Sequence, residues 1–392
     1  MSDNKLKILL VGNIKGSMGF IQNLSALLVK NNCQVDILDL WSMNFIDCNE
    51  IKSIRLYSFK LFDIFLKIPV IHKFTRKFIA IFFLKRINKR YNIVNFHYVS
   101  RRIYGNLISF FKRKSDKLVL SVWGSDFLRA SNERRENDIY IYDAVDAITF
   151  NNPVIREEFI GYFRDYEKKC LITGFGIRNI DLLDELNEME SINESKRKLG
   201  ISEDSFIITC GYNANTAQQH EIIIEHISNI KSSLPDNTFI ILPMTYYLND
   251  DFYIERLEVL LKKSFNYKIF KNNLTDIDVA RIRRITDIAV NMQMTDQLSA
   301  SIIEHLYSNN IVFVGKWLPY KIFEDLGIFL IRVNIDDFES SFCNTINNFE
   351  NIKILCNNNP EFIRNNFSWK IRIQKWIELY NDLLDHETID KK

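Results

Sequence analysis

Two acidic side chains eight positions apart form the most specific chemical pattern in the sequence. Asp296 follows the apolar segment 287–290, a predicted strand, and Glu304 lies within the helix predicted over 298–308. A carboxylate accepts hydrogen bonds from paired sugar hydroxyls, and the exposed amides that begin a helix bind an anion such as a diphosphate. Taken alone, the pair could also be a charge at a helix start and an unrelated glutamate. The candidate ligand contacts of this segment are Asp296, Gln297, Leu298, Ser299 and Glu304.

A second polar group follows the predicted strand 206–210, where Gly211 is succeeded by Tyr212, Asn213, Gln219 and His220. These side chains could donate hydrogen bonds to phosphate or to hydroxyl groups. A cation for phosphate could come from Lys316 or from one of three arginines, which also suit a solvated helix face. Those arginines are Arg281, Arg283 and Arg284.

The N-terminal half has candidates of its own at predicted strand ends. Trp123, Gly124, Ser125 and Asp126 follow the strand 118–122, so Asp126 either faces a ligand cleft or caps the next helix. His97 ends another strand and is either a cleft residue or a buried capping residue. The loop after the strand 7–11 carries Gly12, Gly16, Ser17 and Gly19, whose spacing is too irregular for a dinucleotide fingerprint and disfavours a dehydrogenase.

Strands and helices alternate along most of the chain, which predicts parallel sheets covered on both faces and therefore an α/β protein. The alternation stops in a highly charged stretch near 181–197 and then resumes. We therefore predict two consecutive Rossmann-like domains, with ligands bound at the carboxyl ends of the strands in a central cleft. The predicted ranges are 1–181, completed by a C-terminal helix 371–392, and 182–370.

The acid pair resembles the acid-x7-acid motif of GT-B glycosyltransferases, especially those of family 4, with Asp296 in place of the commoner Glu. The resemblance implies that Glu304 holds the ribose of a nucleotide sugar, and that Asp296 and the backbone after it contact the sugar. Phe367 to Lys370, followed by an amphipathic helix, is similar to the family's C-terminal segment, and Gly174 to Ile177 to its interdomain crossover.

Two further loops resemble transferases of this class. The Trp-Gly-Ser-Asp loop at 123–126 is similar to one that lines the acceptor side, and the loop at 12–19 to the first acceptor-side glycine loop. Trp123 stands where a catalytic-site histidine is common, which makes His97 the nearest alternative. By resemblance the catalytic candidates are His97, Asp126 and Asp296.

The donor side departs from the family 4 pattern. An Arg and a Lys that usually neutralise the donor diphosphate are missing near Gly211, which leaves Lys316 as a candidate. The segment 211–220 instead resembles bacterial fucosamine-type transferases, which add 4-acetamido-4,6-dideoxygalactose to a polyprenyl-linked sugar. No Asp-x-Asp pair lies at a strand end, so we expect no metal and no cofactor besides the nucleotide-sugar substrate.

Charge is distributed unevenly along the chain. Residues 1–180 hold 29 Lys and Arg against 17 Asp and Glu, whereas the remainder holds 22 against 32. The stretch 60–90 carries nine basic residues and one acid among many aromatic and aliphatic ones, which predicts a basic amphipathic surface attracted to anionic lipid. Nucleic acid is the alternative partner, but no recognition motif accompanies the stretch.

Six cysteines without metal-ligand spacing, an N-terminus unlike a signal peptide and the lack of a long apolar run predict a cytoplasmic protein. We expect it to lie peripherally on the inner face of the cell membrane. The expected activity is transfer of a hexosyl-type sugar, with retention, to a polyprenyl-diphosphate-linked saccharide in bacterial O-antigen, lipopolysaccharide or capsule synthesis. The alternatives are a nucleotide-sugar epimerase or hydrolase on the same fold, and a non-catalytic GT-B binding protein.

Overall fold

The computed structural model describes residues 5–13, 19–39, 55–57, 89–99, 101–296 and 298–389. The chain divides into two compact units, Met1–Gly176 with Trp369–Lys392, and Ile177–Ser368. The predicted boundary at 181 falls inside a helix of the second unit. Ile180, Leu183 and Leu186 of that helix are buried in the second unit's core, which is why the division comes earlier.

The first unit is built on a seven-stranded parallel sheet in the order β3-β2-β1-β4-β5-β6-β7. Its strands are β1 Lys7–Gly12, β2 Gln34–Asp39, β3 Arg55–Tyr57, β4 Tyr91–His97, β5 Ser115–Val122, β6 Ala147–Phe150 and β7 Cys170–Ile172. Its helices are α1 Phe20–Lys30, α2 Arg101–Phe111, α3 Ser125–Leu128, α4 Asn132–Ala144, α5 Pro153–Tyr162 and, from the end of the chain, α16 Trp369–Ile389.

The second unit is built on a six-stranded parallel sheet in the order β10-β9-β8-β11-β12-β13. Its strands are β8 Phe206–Cys210, β9 Thr238–Pro243, β10 Asn266–Phe270, β11 Ile288–Asn291, β12 Ile311–Gly315 and β13 Ile331–Val333. Its helices are α6 Arg178–Met189, α7 Ile192–Lys198, α8 His220–Asn229, α9 Tyr253–Lys262, α10 Asp276–Ile285, α11 Ala300–Tyr307, α12 Lys321–Asp325, α13 Phe338–Asn347, α14 Phe349–Leu355 and α15 Asn359–Phe367.

The predicted α/β class and the pair of Rossmann-like sheets are confirmed. The central strands are apolar along their length, as expected for strands covered by helices on both faces. Ile8, Leu9, Leu10 and Val11 of β1 are all fully buried, for example. The three-residue strands β3 and β13 were not predicted, because a run that short carries no periodic signal.

In each sheet the strand order reverses once, between β1 and β4 and between β8 and β11. At such a switch point the flanking loops diverge, and the crevice left at the carboxyl ends of the two strands is where open α/β sheets bind ligands. In the first unit the two strands end at Gly12 and His97, and in the second at Cys210 and Asn291.

The C-terminal helix α16 packs on the first unit, where Trp376 is buried and its indole N–H donates to the carbonyl of Gly174 at 2.9 Å. The basic stretch 60–90 lies outside the described residues except for Lys89 and Arg90. Among the described residues, no helix combines the length and the apolar character that crossing a bilayer requires.

Candidate functional site

The loop 292–299, which we call the acid loop, leaves β11 at the switch point of the second sheet. Asp296 lies in it, and its Oδ2 accepts hydrogen bonds from Asn291 Nδ2, at 3.1 Å, and from the Tyr320 hydroxyl. The Ser299 N–H donates to the same hydroxyl at 3.2 Å. The acid loop is therefore fixed by side chains from β11 and from the segment after β12. Gln297 lies outside the described residues.

The loop after β8 meets the acid loop through a network of amide side chains. The Tyr212 N–H donates to Gln218 Oε1 at 3.2 Å, and Gln218 Nε2 donates to Gln293 Oε1 at 2.6 Å. The Tyr212 hydroxyl lies 3.1 Å from the Gln293 side chain. Burial and the nearby Asp296 carboxylate raise the pKa of Tyr212, so this phenol stays protonated at neutral pH. The two predicted groups of donor residues are thus brought together in one place.

Backbone strain is concentrated at the carboxyl edges of the sheets. Among the described residues other than glycine, six have positive φ. Tyr98, Gln219, Tyr247 and Leu298 lie in loops that follow strands, whereas the other two are asparagines, which tolerate this conformation well. Strained residues cluster where function requires a particular loop geometry. This distribution favours the strand carboxyl ends as the functional edge.

Glu304 is buried in α11 and both of its carboxylate oxygens have partners. Arg283 Nε donates to Oε2 at 3.0 Å and Asn179 Nδ2 donates to Oε1 at 2.8 Å. Burial raises the pKa of Glu304, while the guanidinium of Arg283 opposes that shift. The guanidinium also lies 3.2 Å from His305 Nε2. Arg283 is therefore occupied by a buried ion pair rather than exposed toward a diphosphate.

Several predicted donor contacts already have partners within the protein. Asn213 Oδ1 accepts the N–H of Asn215 at 2.9 Å, and Gln219 Nε2 donates to the carbonyl of Met292. His220 is fully buried with Nδ1 3.1 Å from the Tyr253 hydroxyl, and its contact with the donor stays a prediction. Burial lowers the pKa of His220 to about 4, so at neutral pH it carries no charge for a diphosphate.

The candidate cations differ in their availability. Lys316 follows β12, its side chain is 48% exposed, and its Nζ lies 3.6 Å from Asp337 Oδ2. Arg281 pairs with Glu190 at 2.9 Å, and Arg284 Nε donates to Asn187 at 2.7 Å. Both arginines therefore form contacts between α10 and the segment 187–190.

In the first unit, the Asp126 carboxylate joins two loops and does not cap α3, whose N-cap is Gly124 without a side-chain hydrogen bond. Its carboxylate is buried and accepts the backbone N–H groups of Val99 at 2.8 Å, Trp123 at 3.0 Å and Gly124 at 2.8 Å. Burial raises the pKa of Asp126, and the three backbone donors oppose that shift. This side chain connects the loop after β4 to the loop after β5, and its catalytic role stays a prediction.

His97 is buried among aromatic rings at the first switch point. Its ring centroid lies 6.1 Å from that of Trp123 and 5.9 Å from that of Phe175. Burial lowers the pKa of His97 to about 3, so it is a neutral imidazole in the folded unit. His97 therefore packs in a cluster of aromatic rings, and its catalytic role stays a prediction.

The predicted acceptor-side loops follow β1 and β5. A Cβ on Gly12 would lie 2.7 Å from Ile21 Cδ1 and 3.1 Å from His97 Cβ, so any larger residue would require these side chains to shift. Gly124 has a φ of 108° and begins the turn into α3, whose first residue is Ser125. Gly19, with a φ of 82°, precedes α1. Gly16 and Ser17 lie outside the described residues.

Comparison with known proteins agrees with this architecture. Residues 7–152 match the model of a family described as glycosyl transferase 4-like. An uncharacterised glycosyltransferase of Methanocaldococcus jannaschii is 21% identical over 347 residues, which is 85% of this chain and 86% of the relative. A glycosyltransferase from Rickettsia africae, 16% identical, superimposes with a TM-score of 0.73 over 97% of this chain and 99% of its own. This chain is a glycosyltransferase of the GT-B fold, and its residues 7–152 are similar to the glycosyl transferase 4-like family.

A second solved structure resembles this glycosyltransferase over nearly its whole length. The Anabaena protein HepE, solved in complex with UDP and glucose, is 12% identical, with a TM-score of 0.67 over 96% of this chain and 100% of its own. At so low an identity the likeness establishes the fold.

Sequence reasoning missed three polar side chains of the donor edge, namely Gln218, Gln293 and Tyr320. None belongs to a motif, although the amide-rich run of Gln218 and Gln219 carried a weak signal. In the described part of the chain, no three His, Cys, Asp or Glu side chains are grouped as metal ligands.

Proposed function

We propose that this glycosyltransferase binds a nucleotide-diphosphate sugar at the switch point of its second unit. The observation that carries the proposal is the convergence of Tyr212, Asp296 and the start of α11 at the carboxyl ends of β8 and β11. The switch point of an open α/β sheet is where nucleotides bind in general. HepE, which has the same fold, was solved with UDP and with UDP-glucose.

Each part of the donor then has a partner of suitable chemistry. The first amides of α11, after Leu298 and Ser299, suit the diphosphate, because a helix N-terminus carries partial positive charge and free N–H donors. Asp296 suits sugar hydroxyls, and Glu304 the ribose. Lys316 is the half-exposed cation nearest in sequence to the end of β12. Departure of the nucleoside diphosphate would be stabilised by these amides and this cation, without a metal.

We further propose that the acceptor is a saccharide linked to polyprenyl diphosphate and that it binds at the first unit. The loops at Gly12, Gly19 and 123–125 lie at the carboxyl ends of β1 and β5 there. Support for the lipid comes from the sequence, in its basic stretch 60–90 and in the likeness of 211–220 to fucosamine-type transferases. The proposed setting is bacterial surface polysaccharide synthesis on the inner face of the membrane, with retention at the anomeric carbon.

The donor proposal is tested first by thermal denaturation of the full chain with UDP-, GDP-, TDP- and CMP-sugars. A ligand that binds the folded state raises the unfolding temperature by mass action. One of the three diphosphate classes should raise it, whereas a rise with CMP-sugars alone, or with none of the four, would contradict the proposed diphosphate donor site.

Turnover of the donor that binds is then measured in Asp296→Ala and Glu304→Ala. We expect losses of about 100-fold or more for Asp296→Ala, in the range seen when a single transition-state contact is removed. Asp325→Asn is the matched control, since this carboxylate is exposed and pairs only along α12 with Lys321. Wild-type rates in both acid-pair variants would show that the residue assignment is wrong.

A further inference from the structure

Tyr320 is the residue on which the acid loop depends. It lies between β12 and α12, is fully buried, and packs its ring on Phe323 with the centroids 5.6 Å apart. Its N–H donates to the carbonyl of Leu318 at 2.8 Å. The ring and the backbone of Tyr320 are therefore both fixed, so its hydroxyl is held in one position beside Asp296.

The Tyr320 hydroxyl makes three hydrogen bonds, one as donor and two as acceptor. A phenol has one proton to donate and two lone pairs to accept with. The proton goes to Asp296 Oδ2, because an ionised carboxylate only accepts. The Ser299 N–H, at 3.2 Å, and the Ser299 hydroxyl, also at 3.2 Å, are then the two donors. Every bonding position of the phenol oxygen is filled.

The two residues that Tyr320 joins lie on either side of a strained turn. Leu298, between them, has a φ of 59°, in a region that a branched side chain rarely adopts. Strain of this kind persists only where the surroundings hold the backbone on both sides. The Tyr320 hydroxyl supplies such an anchor on each side, through Asp296 and through Ser299.

We propose that Tyr320 is a positioning residue of the donor site, which holds Asp296 and the first amides of α11 in one fixed arrangement. The inference rests on the proposed donor site and adds a residue to it. A single hydroxyl then sets both the contact to the sugar and the contact to the diphosphate. Burial and the Asp296 carboxylate raise the pKa of Tyr320 well above its ordinary value, so the hydroxyl keeps its proton.

The test is Tyr320→Phe, which removes the hydroxyl and keeps the ring. Turnover of the nucleotide sugar identified by thermal shift should lose 10- to 100-fold in kcat, as for loss of a hydrogen bond to a charged group. The KM for the donor should change less than kcat does, because Tyr320 acts through Asp296 and Ser299.

Tyr307→Phe is the matched control. Tyr307 is a buried tyrosine of the same unit whose hydroxyl donates to Asp184 at 2.5 Å, away from the acid loop. We expect it to lower the urea midpoint about as much as Tyr320→Phe while leaving kcat within twofold of wild type.

Three results would overturn the proposal, and they are distinguishable. If Tyr320→Phe keeps wild-type kcat while Asp296→Ala is inactive, Tyr320 does not position the loop but the donor site stands. If Tyr320→Phe and Tyr307→Phe change kcat and KM alike, the role of the hydroxyl is general stability. If the wild-type protein binds none of the four nucleotide-sugar classes, the donor site itself is wrong.

Discussion

At the scale of single residues, three buried or partly buried carboxylates of this glycosyltransferase differ in the kind of hydrogen-bond donor that they bind. Asp126 receives three backbone N–H groups, Glu304 a guanidinium and an amide, and Asp296 an amide and a phenol. Backbone donors are fixed once the fold forms, so Asp126 secures loops. Side-chain donors can rearrange around a ligand, which is why Asp296 and Glu304 remain the candidates for donor contacts.

The pair of Glu304 and Arg283 gives the prediction at this scale. Their side chains are only 7% and 6% exposed, so Glu304→Ala would leave an unpaired buried guanidinium. We expect the free energy of unfolding, measured by urea denaturation, to fall by about 3–5 kcal/mol. Glu304→Gln should lose less, since an amide oxygen still accepts a hydrogen bond. Equal stability of Glu304→Ala and wild type would mean that the pair is not buried in solution.

At the scale of elements, the end of the chain completes the first unit. The helix α16 follows α15 directly, yet it packs on the aromatic cluster at the first switch point. Trp376 stacks on Phe175 with centroids 5.9 Å apart, and Tyr380 accepts a hydrogen bond from Asn95 at 2.9 Å. The first switch point is therefore supported by a helix encoded some 200 residues later.

We predict that Trp376→Ala destabilises the first unit by about 3–5 kcal/mol, because a fully buried ring and its hydrogen bond are both lost. Hydrogen exchange should show faster exchange in β1, β4 and β5 than in β8 and β11. The control is Trp317→Ala, which removes a tryptophan that is 43% exposed and should cost much less. Uniformly faster exchange in both sheets would contradict a local role for Trp376.

At the scale of the whole molecule, three buried histidines have lowered pKa values, namely His97 in the first unit and His220 and His305 in the second. Burial lowers the pKa of His97 to about 3 and that of His220 to about 4, below the ordinary value of 6.5. At pH values between these pKa values and 6.5, the two imidazoles are protonated in the unfolded chain and neutral in the folded units. The stabilising contribution is therefore complete above pH 6.5 and is lost as the pH falls towards 4.

We expect the free energy of unfolding to fall as the pH is lowered from 6.5 to 4, by up to about 1.4 kcal/mol per pH unit for each histidine. Urea denaturation at a series of pH values measures the slope. His220→Gln should reduce that slope, because one of the three buried histidines no longer titrates. An unchanged slope in the variant would show that His220 is accessible to protons in the folded protein.

The sequence by itself determined the architecture. Apolar runs such as 7–11 and 206–210 predicted buried parallel strands, and their alternation with helices predicted two Rossmann-like units. The acid pair and the loop after β8 were found as well, because each follows a recognisable strand. These features are local, since the chain encodes each of them within about a dozen consecutive residues.

Only the tertiary structure decided which polar side chains already have hydrogen-bond or packing partners within the protein. No local pattern states that Asp126 accepts the N–H of Val99, that His97 packs against rings from the loops after β5 and β7 and from α16, or that Tyr320 donates to Asp296. Each of these partners lies at least 24 residues away along the chain and arrives when the strands assemble side by side. A side chain's burial, charge and free bonding capacity depend on those distant neighbours, so its chemical role is fixed by the folded sheet and not by its place in a motif.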